Sequence, residues 1–147
     1  MTMPREGTLR IATAVLALLG LAVAGYVTIV EAGGGSPVCV AGGGGCNAVA
    51  ESEYAELGGI NVALIGVFGY LALLGAAAAP GDPGRAAGLL FSLIGFGFSL
   101  YLTYLEIFVI EAICQWCVAS AALMTGLLAV CTARALGYLH TIPEQLE

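Results

Sequence analysis

Four apolar runs, each of twenty residues or more and free of basic side chains, limit what this chain can become. They cover residues 11–30, 60–79, 86–110 and 114–133. A helix of about 20 apolar residues crosses a hydrocarbon core of about 30 Å. Inside that core every backbone polar group must find its partner within the protein, which leaves helices as the natural solution. The rest of the chain offers no second domain: 60% of the 147 residues are hydrophobic and only 10% are charged. The expected fold is an all-α integral membrane protein, a four-transmembrane-helix bundle forming one domain over residues 1–147.

Charge sets the expected orientation. The four basic residues are Arg5, Arg10, Arg85 and Arg134. With four spans, all of them fall on one side, shared by both termini and the 80–85 loop. The positive-inside rule makes that side the cytoplasm of a multi-pass cell-membrane protein. Glu31, Glu51, Glu53, Glu56 and Glu111 fall on the opposite side. A net charge of −6 without a basic cluster excludes a nucleic-acid partner. The first run is longer than a signal-peptide core of about 7–15 residues, so a retained span is expected.

The outer loop 31–59 divides in two. Gly33-Gly34-Gly35-Ser36-Pro37 and Gly42-Gly43-Gly44-Gly45 flank Cys39 and form a loose arm. After Cys46, residues 47–57 are rich in helix formers, with Ala50, Tyr54 and Leu57 on one face. A short amphipathic outer helix between spans 1 and 2 is expected there, ended by Gly58-Gly59. Pro80-Gly81-Asp82-Pro83-Gly84 predicts a tight turn. Residues 135–147 read as a polar tail.

The chemistry lies in the cysteines. Glu111-Ala112-Ile113-Cys114-Gln115-Trp116-Cys117 places two thiols three residues apart where the last run begins. At a helix start they share one face, and the helix N-terminus favours a thiolate. Cys39 and Cys46 make a second pair on the same expected outer, oxidising side. Cys131 stands alone at the inner end and reads as an apolar filler; His140 reads as a tail residue. Tyr101 and Tyr104 sit where an interfacial aromatic belt is expected. Glu106 and Glu111 read as interfacial acids, with a proton relay as their alternative role.

Four runs, a first outer loop with Cys39 and Cys46 separated by six residues, Ser52 six beyond Cys46, and Cys114-Gln115-Trp116-Cys117 opening the last run form a specific pattern. It resembles the bacterial branch of the vitamin K epoxide reductase family over residues 10–133. Ser52-Glu-Tyr-Ala, Gly58-Gly-Ile-Asn and the stretch from Tyr101 to Cys117 resemble that branch as well. The resemblance implies a membrane thiol–quinone oxidoreductase. Cys39 would exchange with a DsbA-like or thioredoxin-like protein, Cys46 would carry the oxidation to Cys114, and Cys117 would react with the quinone, ubiquinone or menaquinone. Ser52 would hydrogen-bond near the quinone or pin the outer helix, and Tyr101 is a candidate quinone contact beside its reading as a belt anchor. Asn61 is named with them, one residue from Val62, where the family's quinone-binding Asn maps. No thioredoxin-like domain follows the fourth run, so the partner is expected in trans. Ala121 stands where vertebrate relatives have Tyr, which favours quinone reduction over epoxide chemistry. The order of the two pairs, wide loop pair first and CxxC second, argues against the DsbB type of oxidase. A non-enzymatic metal-binding or structural membrane protein is the alternative; zinc needs about four N or S ligands, and no metal site is expected.

Overall fold

The computed structural model describes residues 6–35, 48, 53, 56–79 and 81–146, with side chains between 7 and 137. Cys39, Cys46 and Ser52 lie outside the described residues. Four helices dominate: α1 (Glu6–Ala32), α2 (Val62–Ala78), α3 (Gly81–Tyr104) and α4 (Gln115–Leu146). A short hairpin of β1 (Glu56–Leu57) and β2 (Ile60–Asn61) leads into α2. A π-helical turn, Leu105–Val109, extends α3.

Each helix packs against its two neighbours in a ring, α1 on α2, α2 on α3, α3 on α4 and α4 back on α1. Ala17, Ala24, Tyr70, Leu73, Met124, Leu127 and Cys131 form the core at the centre of the ring. Large apolar side chains such as Leu18, Ile29, Phe68, Leu90, Ile94 and Phe108 point outward and are exposed. A helical ring that turns so many bulky apolar side chains outward suits lipid as its solvent. Gly7–Ala32, Gly81–Val109 and Gln115–Gly137 are long and apolar enough to cross a membrane. The remaining helix, Val62–Ala78, is apolar but has 17 residues. At 1.5 Å per residue it spans about 26 Å, short of a core of about 30 Å.

The short helix is closed at both ends by polar groups. Asn61 caps its start: the side-chain oxygen accepts from the Ala63 N–H at 2.7 Å, and the Asn61 amide donates to the Glu31 carboxylate. Its last carbonyls, which no helical N–H can reach, are taken by arginines of other helices. Arg10 donates through Nε to Ala77 O and through Nη2 to Ala78 O, each at 2.8 Å. Arg134 approaches Ala76 O at 3.4 Å and is buried.

Several expected boundaries shift, each for a local reason. The outer helix does not reach Leu57: Glu56 and Leu57 pair with Asn61 and Ile60 in antiparallel register. Gly58 and Gly59, at φ 63° and 86°, make the turn of that hairpin rather than a helix stop, because two successive positive φ angles match the twist of paired strands. Ala48 is helical and Glu53 sits in a 3-10 turn; the rest of the expected outer helix lies outside the described residues. The 80–85 turn is tighter than expected, with α3 starting at Gly81. Pro83 fits in the first turn, where a missing N–H costs no helical bond. The expected polar tail is helical, since α4 continues past Arg134 to Leu146.

Candidate functional site

Cys114 ends the link between α3 and α4, and its carbonyl accepts the Val118 N–H at 3.1 Å. It is therefore the N-cap of α4, and Cys117 occupies the third position of the first turn. An N-cap side chain normally reaches the backbone of that turn, so the two thiols meet. Their sulfurs are within hydrogen-bond reach of each other. Cys114 is buried and Cys117 half-buried. A dithiol in this position can close to a disulfide, releasing two electrons and two protons.

The link that delivers Cys114 is unusual. In the π turn Ile110 N–H bonds Leu105 O at 2.7 Å, five residues back. Ala112 N–H then bonds Glu106 O at 3.0 Å, and between them Glu111 adopts φ 58°. A left-handed conformation costs a residue other than glycine roughly 1–2 kcal/mol. It reverses the chain within four residues and lays Cys114 over Glu106.

Glu106 is the group sequence reasoning placed in the wrong surroundings. It is not interfacial: only 4% of it is exposed. Its Oε2 accepts the Cys114 N–H at 3.2 Å, and the Cys117 side chain lies beside its carboxylate. A signal was present. Gly95, Ser99, Leu102 and Glu106 follow a helical spacing of four, three and four, and all four line the cavity described below.

That cavity has a volume of about 280 Å³ and is mostly apolar. Val23, Val27 and Glu31 of α1, Asn61 and Tyr70 of the hairpin and α2, Phe98 and Thr103 of α3, and Trp116, Cys117, Ser120 and Met124 of α4 contribute to its wall. Besides Ser99 and Thr103, polar groups among the described wall residues cluster at three places. Glu31 and Asn61 share a hydrogen bond at one. Cys117 and Glu106 form the second. At the third, the Tyr70 hydroxyl meets Ser120 Oγ at 2.6 Å and donates to Ser120 O at 3.1 Å. Trp116 stacks at a tilt on Tyr26, with centroids 4.9 Å apart. The site thus offers a dithiol with one sulfur facing an apolar chamber sized for a flat ring and furnished with a few hydrogen-bonding groups.

Of the residues singled out in the sequence, Cys114, Cys117 and Asn61 meet at or beside this chamber. Tyr101 does not: it is 44% exposed, outside the cavity wall, with its ring 6.3 Å from that of Phe98. Cys131 is fully buried in the core at the arginine end. Sequence reasoning missed Glu31, Tyr70 and Ser120 as wall residues; Ser120 lies one turn beyond Cys117 on the same helix face, a spacing that could have named it.

The model of the Vitamin K epoxide reductase family matches residues 11–132. The match spans all four helices and the dithiol at the head of α4. The chain belongs to the vitamin K epoxide reductase family and is a membrane thiol–disulfide oxidoreductase.

Proposed function

We propose that this protein oxidises a DsbA-like or thioredoxin-like partner in trans and passes the electrons to a membrane quinone, supporting disulfide formation in exported proteins. Cys39 exchanges with the partner, Cys46 carries the oxidation to Cys114, and Cys117 delivers the electron pair to the quinone. Each exchange breaks one disulfide and makes another through a mixed disulfide. The net reaction converts two thiols and a quinone into a disulfide and a hydroquinone.

The observation that carries this reading is Cys117, a redox-competent thiol facing an apolar chamber among helices whose outer surfaces face lipid. An acceptor reaching that chamber from the bilayer must be lipid-soluble and must take two electrons and two protons, as a quinone does. Glu31 with Asn61, and Ser120 with Tyr70, are groups suited to hold quinone oxygens. The orientation fits as well. Arg10 and Arg134 stand at the C-terminal end of α2, and Asn61 at its other end stands beside the dithiol chamber. Under the positive-inside rule this arrangement supports an extracytoplasmic dithiol.

The test uses purified protein in detergent with reduced DsbA-like protein and a soluble ubiquinone or menaquinone analogue, followed by quinone absorbance. Turnover is expected for the wild type and its loss for Cys39→Ala, Cys46→Ala, Cys114→Ala and Cys117→Ala. Normal turnover by Cys117→Ala, or none by wild type with either quinone, sinks the reading; bound zinc would then favour a metal-binding role.

A further inference from the structure

We propose that Glu106 is the proton acceptor for the Cys114/Cys117 dithiol and passes those protons to the acceptor in the cavity. The proposal rests on the thiol–quinone reading above and adds to it a residue outside the cysteine relay.

Three observations converge on this carboxylate. It is buried at the dithiol, where an ionised carboxylate without partners is strongly disfavoured. It accepts the backbone N–H of Cys114 and lies beside the thiol of Cys117, so it stands against both halves of the pair. It also lines the chamber where the acceptor would sit. A base for proton transfer must lie near the proton it takes, and Cys117 is the thiol that lies beside Glu106 and shares the chamber wall with it. Among the described residues, the other ionisable groups facing the chamber besides the dithiol are Glu31 of α1 and Tyr70 of α2. Glu31 is engaged by Asn61 and Tyr70 by Ser120. Glu111, five residues on, is exposed and lies outside the cavity wall.

The steps balance. Glu106 takes the Cys117 proton, leaving a thiolate, the form that reacts. As the Cys114–Cys117 bond forms, two S–H bonds are lost and two electrons pass to the quinone. The two protons pass in turn through Glu106 to the quinone oxygens, giving two O–H bonds and restoring the carboxylate. The carboxylate thus serves both halves of the reaction without a net proton crossing the protein.

Glu106→Gln tests this, because the amide oxygen still accepts from the Cys114 N–H while the proton-carrying capacity is gone. Two readouts are needed. The first is alkylation of Cys117 by N-ethylmaleimide, located by mass spectrometry, in a Cys39→Ala, Cys46→Ala, Cys114→Ala background without quinone. The rate at pH 7 is expected to fall at least tenfold with Glu106→Gln and to recover partly with Glu106→Asp. An unchanged or faster rate overturns the proposal, since removing a mere negative neighbour makes the thiolate easier to form. The second is quinone turnover against pH in the full-length protein with its cysteines intact. Turnover by Glu106→Gln is expected at least tenfold below wild type at pH 7, rising with pH as hydroxide replaces the lost base. A deficit constant across pH assigns Glu106 a packing role and overturns the proposal. Alkylation does not involve quinone, so the two ideas separate. Wild type that turns over quinone beside a Glu106→Gln variant with full alkylation refutes the proton role alone. Wild type that never reduces quinone refutes the quinone reading and, with it, the delivery of protons to a quinone.

Discussion

Gly20 of α1 lies against the ring of Tyr70, and a methyl group there would disturb the packing that supports the site. A Cβ at position 20 would stand 2.1 Å from Cε1 and 2.3 Å from Cζ of Tyr70. Non-bonded carbons rest at about 3.5–4.0 Å, so the ring must retreat by about 1.4 Å or more. It has little room. Tyr70 is 1% exposed and its hydroxyl is held by Ser120, one turn from Cys117. Overpacking of this kind costs about 1–3 kcal/mol, and a lost hydrogen bond about 1 kcal/mol more. Gly20→Ala is therefore expected to destabilise by about 2–4 kcal/mol. For a chain of this size that lowers Tm by about 4–15 °C, measured by thermal unfolding in detergent. Because Tyr70 is the obstacle, Gly20→Ala combined with Tyr70→Val should recover part of the loss, and the two changes should be non-additive. A Gly20→Ala protein within about 0.5 kcal/mol of wild type, the range of neutral surface changes, or strict additivity in the double variant, would refute the packing argument.

Other consequences are accessible to the same methods. Arg10→Ala strips the last two carbonyls of α2 of their guanidinium partner and is expected to cost about 1–3 kcal/mol, read as a lower Tm, with Arg10→Lys restoring only part of it. Asn61→Ala removes the cap of α2 and the partner of Glu31, for about 1–2 kcal/mol; a Tm equal to wild type would show that the cap is dispensable. Tyr101→Phe, outside the cavity wall, is expected to leave quinone turnover and apparent quinone affinity within twofold of wild type. A tenfold loss in either would return Tyr101 to the site.

What could be read from the sequence follows from the strength of the physical signal. Twenty apolar residues in lipid leave few choices, so the existence and order of the long helices were legible, although α4 runs on to Leu146, past the expected end at 133. The Cys114/Cys117 pair was legible because helix periodicity fixes an i, i+3 pair on one face. Hairpin residues Glu56, Leu57, Ile60 and Asn61 were not. Their register depends on Gly58 and Gly59 taking left-handed angles, and a Gly-Gly pair equally suits a helix stop. Glu106 was misplaced because hydropathy puts an acid near a span end at the water interface. A π turn and the left-handed Glu111 instead fold the chain back over it, and neither device has a marker in composition. The capping of α2 by Arg10 and Arg134 was hidden for another reason. Charge asymmetry explained those arginines as topology signals, and nothing in their spacing says that they also reach across the bundle to the end of a helix too short to span alone.

The central claim, that Cys117 hands electrons to a quinone in the chamber beside it, is tested most directly by a single turnover. The protein is fully reduced, freed of reductant under anaerobic conditions and mixed with one equivalent of a ubiquinone or menaquinone analogue. Quinone absorbance and the mapped disulfides are then followed together. The account predicts one hydroquinone for each protein disulfide formed, summed over the Cys114–Cys117, Cys46–Cys114 and Cys39–Cys46 pairs among which exchange distributes it, with neither product from Cys117→Ala. Quinone reduction by Cys117→Ala at the wild-type rate, or a disulfide that forms without hydroquinone, would contradict it.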